Sequence, residues 1–168
     1  MLETLITSKT RLRLLVKFFV NITNQGYLNS LANEFGESTN SVRKELNNLS
    51  SAGYLEKRNV NNKVIYKANS SHPLFKVIQK IIHKHVGIEE IVENLYNRIG
   101  DVKKIMILGD YSKGIDSGLI EVLIVGENIN KKYLDDIAPK IEKKISRKVS
   151  FFVSNKSLKQ DTLTIFEA

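Results

Sequence analysis

Apolar residues recur at helical spacing through the first third of the chain. Leu12, Leu15, Val16 and Phe19 predict a helix opening at Ser8, and Leu28, Leu31, Ala32 and Phe35 predict a short second one ending at Gly36. After Glu37-Ser38-Thr39-Asn40, Val42, Leu46 and Leu49 form the stripe of a third helix, capped by Ser38 or Thr39 and stopped at Gly53. The period then changes. Tyr54–Arg58 and Lys63–Lys67 alternate as strands around the loop 59–62, which is rich in asparagine. His72-Pro73 marks a boundary, followed by a helix from Leu74 to His85 and another from Ile88 to Gly100. Strands are expected at Val102–Leu108, Leu119–Val125 and Lys148–Val153, with an amphipathic helix from Asn130 to Lys144. Asn155–Ala168 has no clear period.

The stretch Leu31–Arg58, "LANEFGESTNSVRKELNNLSSAGYLEKR", places a short helix, a glycine turn, a capped helix and a strand in order. Together with the hairpin after it, this resembles the winged helix-turn-helix of ArsR- and MarR-like transcription regulators. The resemblance implies binding to double-stranded DNA as a homodimer, with the 74–86 helix available to pair two chains. Further on, a strand, Gly109-Asp110-Tyr111-Ser112-Lys113-Gly114 and a second strand resemble the minimal nucleotidyltransferase domain. In that family a Gly-Ser turn cradles phosphate oxygens and paired strand carboxylates hold metal ions. Here Asp110 stands in the place of the serine, Leu119 in the place of the first acid and Glu121 in that of the second. The strand 148–153 has no acid. Two metal ions about 3.5–4 Å apart need shared carboxylates, which a lone Glu121 cannot supply.

Charge sharpens this division. The net charge is +8, from 26 Lys/Arg against 18 Asp/Glu. Residues 1–86 hold 13 basic groups against five acidic ones, and residues 87–168 hold 13 of each, so the whole excess lies in the first half. At 168 residues, 42% hydrophobic and 26% charged, the chain has the composition of a folded domain or two small ones. No apolar run has the length of a membrane span, and the absence of cysteine excludes thiolate chemistry. His83 and His85 point to different sides of a helix, which argues against a shared metal ion.

The expected fold class is therefore α+β: a winged helix-turn-helix over 1–72, connecting helices over 73–100, and a small α/β nucleotidyltransferase-like domain over 101–168. DNA contacts are expected from Ser38, Thr39, Asn40, Ser41, Arg43, Lys44 and Asn47 on the third helix, and from Lys57, Arg58, Asn61, Asn62 and Lys63 on the wing. Glu45 is expected to face outward or to pair with a neighbouring basic group. A vestigial nucleotide site would comprise Gly109, Asp110, Lys113, Gly114 and Glu121, with Glu121 near Lys103 or Lys104. The function expected is a cytoplasmic, non-enzymatic transcription regulator with no cofactor and no membrane association, its C-terminal domain meeting a small ligand or a protein. The alternatives are an active nucleotidyltransferase targeted by its winged helix, and a winged helix that binds protein alone.

Overall fold

Ser8 and Ser38 both act as helix caps. In the computed structural model, which describes residues 1–96, 98–159 and 161–168, Ser8 accepts from the Arg11 amide at the start of α1 (Lys9–Phe19). Ser38 does the same for Ser41 at the start of α3 (Thr39–Ser51). Between them lies α2 (Leu28–Phe35), whose end is fixed by Gly36 in the left-handed conformation, φ 64°. The apolar stripes of these helices meet in a core of Leu14, Phe18, Leu31, Val42 and Leu46.

A three-stranded antiparallel sheet, ordered β1-β3-β2, completes this part with β1 (Gln25–Tyr27), β2 (Leu55–Val60) and β3 (Lys63–Ala68). The hairpin turn is tighter than the sequence suggests. Only Asn61 and Asn62 form it, at φ 48° and 61°, a pair of left-handed residues that asparagine tolerates and the twist of a two-residue hairpin favours. Strand β1 was not foreseen, because three residues carry no period. It forms because Gly26 lets the backbone lie directly against Leu31, where an added Cβ would come 2.9 Å from Leu31 Cδ2.

The chain divides into two compact units, Met1–Ile82 and His83–Ala168, with the division falling inside α4 (Phe75–Val86). In the second unit α5 (Ile88–Leu95) stops earlier than expected. Tyr96 leaves the helical region at ψ 129°, the Asn94 carbonyl accepts from Tyr133 Oη at 3.0 Å, and the Tyr96 ring packs edge-on to Phe166. Asn97, inside the expected helix, lies outside the described residues.

The second sheet is mixed and ordered β6-β5-β4-β7. It consists of β4 (Asp101–Leu108), β5 (Leu119–Glu127), β6 (Lys148–Ser154) and β7 (Leu163–Glu167), with only β5 and β6 parallel. The parallel pair is joined by α7 (Lys131–Ile145), a crossover helix of the kind such strands require. A single-turn helix, α6 (Gly109–Ser112), links β4 to β5. The C-terminal segment without a clear period supplies β7. The chain is thus a mixed α+β protein with seven α-helices and two sheets among the described residues, none of those helices long and apolar enough to cross a membrane.

Candidate functional site

Helical spacing puts Asn40, Arg43 and Asn47 in one row along the exposed side of α3, with Lys44 beside it. Arg43 Nη1 donates to Asn40 Oδ1 at 3.1 Å, which holds the guanidinium along the row. The hairpin faces this row. Arg43, Asn47, Asn62 and Lys63 together line a concavity of about 430 Å³, closed by Tyr27, Asn29, Val64 and Tyr66. Lys63 Nζ lies 4.4 Å from the centre of the Tyr27 ring, a cation–π contact that directs the ammonium.

The remaining expected residues are spread more widely. Lys57 pairs with Tyr66 across the hairpin and shares its face, whereas Arg58 pairs with Ile65 and points to the opposite face. Lys57 and Arg58 therefore lie on opposite faces of the hairpin, and Lys63, two residues before Ile65, shares the face of Arg58. Ser38 and Ser41 bond each other at 3.0 Å beside the cap, and Thr39 is exposed at the helix start. Asn61 is exposed at the turn. Tyr27 and Asn29 were missed by sequence reasoning; the apolar stripe of α2 picks out Leu28 and Leu31 and gives no signal for Tyr27, its N-cap, or for the polar Asn29.

Three acidic side chains of the first unit are neutralised from α1. Lys17 pairs with Glu34 at 2.9 Å, Arg13 and Thr10 hold Glu37, and Arg11 holds Glu45 through Nε at 2.8 Å. Glu45 does not face outward. It is buried at 6% exposure, and Ser8 Oγ donates to its second oxygen at 2.9 Å. Burial pushes its carboxyl up, but the bonds from Arg11, Ser8 and Asn48 outweigh this and hold it below its ordinary value. Three of the five acids of residues 1–86 are thereby cancelled at the base of the α2–α3 pair. Arg43, Lys44, Lys57 and Lys63 remain exposed, and among the described residues none of them pairs with a carboxylate.

In the second unit, the turn after β4 gathers the other expected residues. Gly109 adopts φ 58°, and the Glu121 carboxylate lies so close over it that a Cβ at 109 would collide. Gly114 is also left-handed, at φ 74°. Lys113 reaches Asp161 at 3.9 Å, and Ser112 Oγ bonds the carbonyls of Gly109 and Asp161. Asp110 is exposed. Lys103 and Lys104 are not partners of Glu121, since they pair with Glu127 and Glu167. Asp116, the only other acid in the connecting loop, is held by Arg147 through Nε at 2.8 Å and Nη2 at 2.6 Å. With Asp116 occupied and no acid on β6, the side chains do not fit a pair of catalytic metal ions. Among the described residues no cluster of three or more His, Cys, Asp or Glu is placed to hold one ion.

No protein-family model, curated protein or solved structure matches the chain.

Proposed function

We propose that the protein is a cytoplasmic, sequence-specific DNA-binding transcription regulator, in which residues 1–72 act as a winged helix-turn-helix and α3 enters the major groove. The observation that carries this reading is the convergence of Arg43, Asn47, Asn62 and Lys63, from two separate elements, on one concave face of a unit in which three acids are neutralised from α1. Arg43 has the planar fork that matches a guanine edge, and Asn47 the amide that matches adenine. Lys44, Lys57 and Lys63 suit phosphates, and the serine-rich start of α3 suits a phosphate or a base edge. A homodimer would present two such faces to half-sites about 34–36 Å apart.

The second unit, on this reading, keeps a nucleotidyltransferase-like strand-turn-strand at β4-α6-β5 without the acids for metal-dependent transfer. Its support is the donor set: the Glu121 carboxylate fills the space above Gly109, Asp116 is taken up by Arg147, and β6 carries no acid. The unit then serves contacts with other molecules, not catalysis.

Binding to genomic fragments, measured as salt is raised, tests the reading. Affinity should fall steeply with salt as phosphate counterions are released. Arg43→Ala should weaken binding to a selected site by about 1–3 kcal/mol and relax its sequence preference, while Lys63→Ala should weaken all sequences alike and reduce the salt slope by about one. Absence of binding at low salt would leave the protein-only alternative. Nucleotide transfer to any acceptor that is lost in Glu121→Gln would favour the enzyme.

A further inference from the structure

Strand β6 ends the second sheet, and among the described residues its outer edge has no strand beside it. The hydrogen-bond pattern fixes which backbone groups point outward. Lys148 donates to the Gly118 carbonyl at 2.8 Å, on the β5 side, so Ser150, Phe152 and Ser154 also face β5. The groups of Val149, Phe151 and Val153 therefore face away. The first of these is already covered, since the Val149 amide donates to Glu142 at 2.9 Å. Phe151 and Val153 are left with their amides and carbonyls on the open edge.

The sequence across this edge is symmetric in character. Around Phe152 it reads Ser150, Phe151, Phe152, Val153, Ser154. A second copy laid antiparallel about a two-fold axis at Phe152 would set Ser150 opposite Ser154, Phe151 opposite Val153, and Phe152 opposite itself. The phase is also correct. Phe151 and the copy's Val153 would form a hydrogen-bonded pair, and so would the reverse combination, because both point outward. Phe152 would occupy the closer, non-hydrogen-bonded position between them, where opposed side chains touch. Its ring is 45% exposed. Natural edges are usually blunted by a lysine, a proline or a bulge; here the only charge is Lys148, which Glu142 holds at 3.1 Å.

We infer that β6 is a self-association edge, pairing with β6 of a second copy to join two four-stranded sheets into one of eight strands. The inference rests on the homodimer of the proposed function and names its contact, but it does not depend on DNA binding. The rival contact is α4, which exposes Val77 and Ile81, with Leu74 exposed just before it. An antiparallel α4 pair, however, would turn the adjoining Lys76 and Lys80 row towards its own copy, and like charges oppose that approach. The β6 edge matches donors to acceptors, and the one like-charge approach it brings, Lys148 towards Lys156 of the copy, is offset by Glu142, which already holds Lys148 at 3.1 Å.

The chain has no cysteine, so a single introduced one reports contacts without background. In the full-length protein, without DNA, Phe152→Cys should cross-link to a dimer under mild oxidation, since directly opposed residues have the Cα separation a disulfide needs. Ser150→Cys should not, because each copy's residue 150 faces residue 154. Val153→Pro should lower the sedimenting mass from dimer to monomer while leaving the far-ultraviolet circular dichroism unchanged, as it removes an outward amide and spares the β5 ladder. The inference is overturned if the protein sediments as a monomer across the micromolar range, or if Ser150→Cys cross-links as readily as Phe152→Cys. It is equally overturned if Val77→Glu alone abolishes a dimer that Val153→Pro leaves intact, an outcome that would assign the contact to α4. DNA binding measured on the same proteins separates a failed edge from a failed regulator.

Discussion

Replacing Arg147 with methionine should destabilise the second unit by about 2–4 kcal/mol, lowering its melting temperature by about 10 °C or more. Arg147 donates twice to Asp116, and its Nη1 also bonds the carbonyls of His85 and Ile145, so one guanidinium fastens the β4–β5 loop to the start of β6. Tyr111, fully buried, donates its hydroxyl to the same Asp116 carboxylate and accepts from the Gly118 amide at 3.1 Å. Burial, with the bond to the anionic Asp116, drives the Tyr111 hydroxyl pKa up, so it remains a donor at all ordinary pH. Loss of Arg147 leaves the carboxylate to this single donor. About a third of the Asp116 side chain stays in water, at 31% exposure, which holds the cost below that of a fully buried broken pair.

The acid limb of the stability curve separates this account from a loss of packing alone. Burial raises the Asp116 carboxyl, but Arg147 and Tyr111 more than offset it, so its folded pKa lies below the ordinary 3.8. A depressed carboxylate stabilises the fold above its unfolded pKa, and that contribution disappears as pH falls through the folded value. In Arg147→Met the burial effect is no longer opposed by the guanidinium, and the Asp116 pKa should rise. The stability lost on acidification is then smaller than in the wild type, and the gap between the two should narrow towards pH 4. Adding Asp116→Asn should restore part of the loss at neutral pH, measurable by thermal melts of the two single variants and the double. Equal losses at pH 4 and pH 7 would show that the charge pair contributes little.

What could be read from the sequence follows the range of the interactions concerned. Helices α1, α2 and α3 were legible because their determinants are local: a three-and-four stripe in each, a serine cap before α1 and α3, and a glycine after α2 and α3. The strand β5 was legible because a run such as Leu-Ile-Glu-Val-Leu-Ile-Val between turns has few other ways to be buried. Strands β1 and β7 were not, since each owes its conformation to a partner distant in the chain, β3 in one case and β4 in the other. The end of α5 depends on Tyr133, 39 residues away from Asn94.

The same distinction holds for side chains. Arg43 and Asn47 could be placed on one face from their spacing alone, but their meeting with Asn62 and Lys63 depends on how the hairpin folds back towards α3. Arg58 illustrates the limit. In a hairpin, neighbouring residues point to opposite faces, and that Arg58 shares its face with Ile65 while Lys57 shares that of Tyr66 is settled by a register the sequence does not display.

Glu45 pairs with a basic group, one of the two outcomes expected of it, but the partner is Arg11 on α1, 34 residues away, and the second large effect expected follows from that pair. Glu45 and Asn48 occupy the side of α3 turned away from Asn40, Arg43 and Asn47, so a defect there can reach the candidate interface only by moving the helix. Arg11→Met removes the cation from a carboxylate whose side chain is 8% exposed and should cost about 2–3 kcal/mol, less than a wholly buried pair because Arg11 itself is 43% exposed. Glu45→Gln, which keeps an acceptor for Ser8 and buries no charge, should cost less. Because the Glu45 carboxyl is held below its ordinary 4.5, its contribution in the wild type is complete above that value and declines as pH falls below it. In Arg11→Met this decline should be weaker or reversed. If α3 is the element that meets DNA, Arg11→Met should also weaken specific binding several-fold at temperatures where the variant is fully folded, although Arg11 lies outside the proposed contact face. Unchanged affinity in a folded Arg11→Met protein would show that the Arg11–Glu45 pair stabilises the first unit without positioning α3.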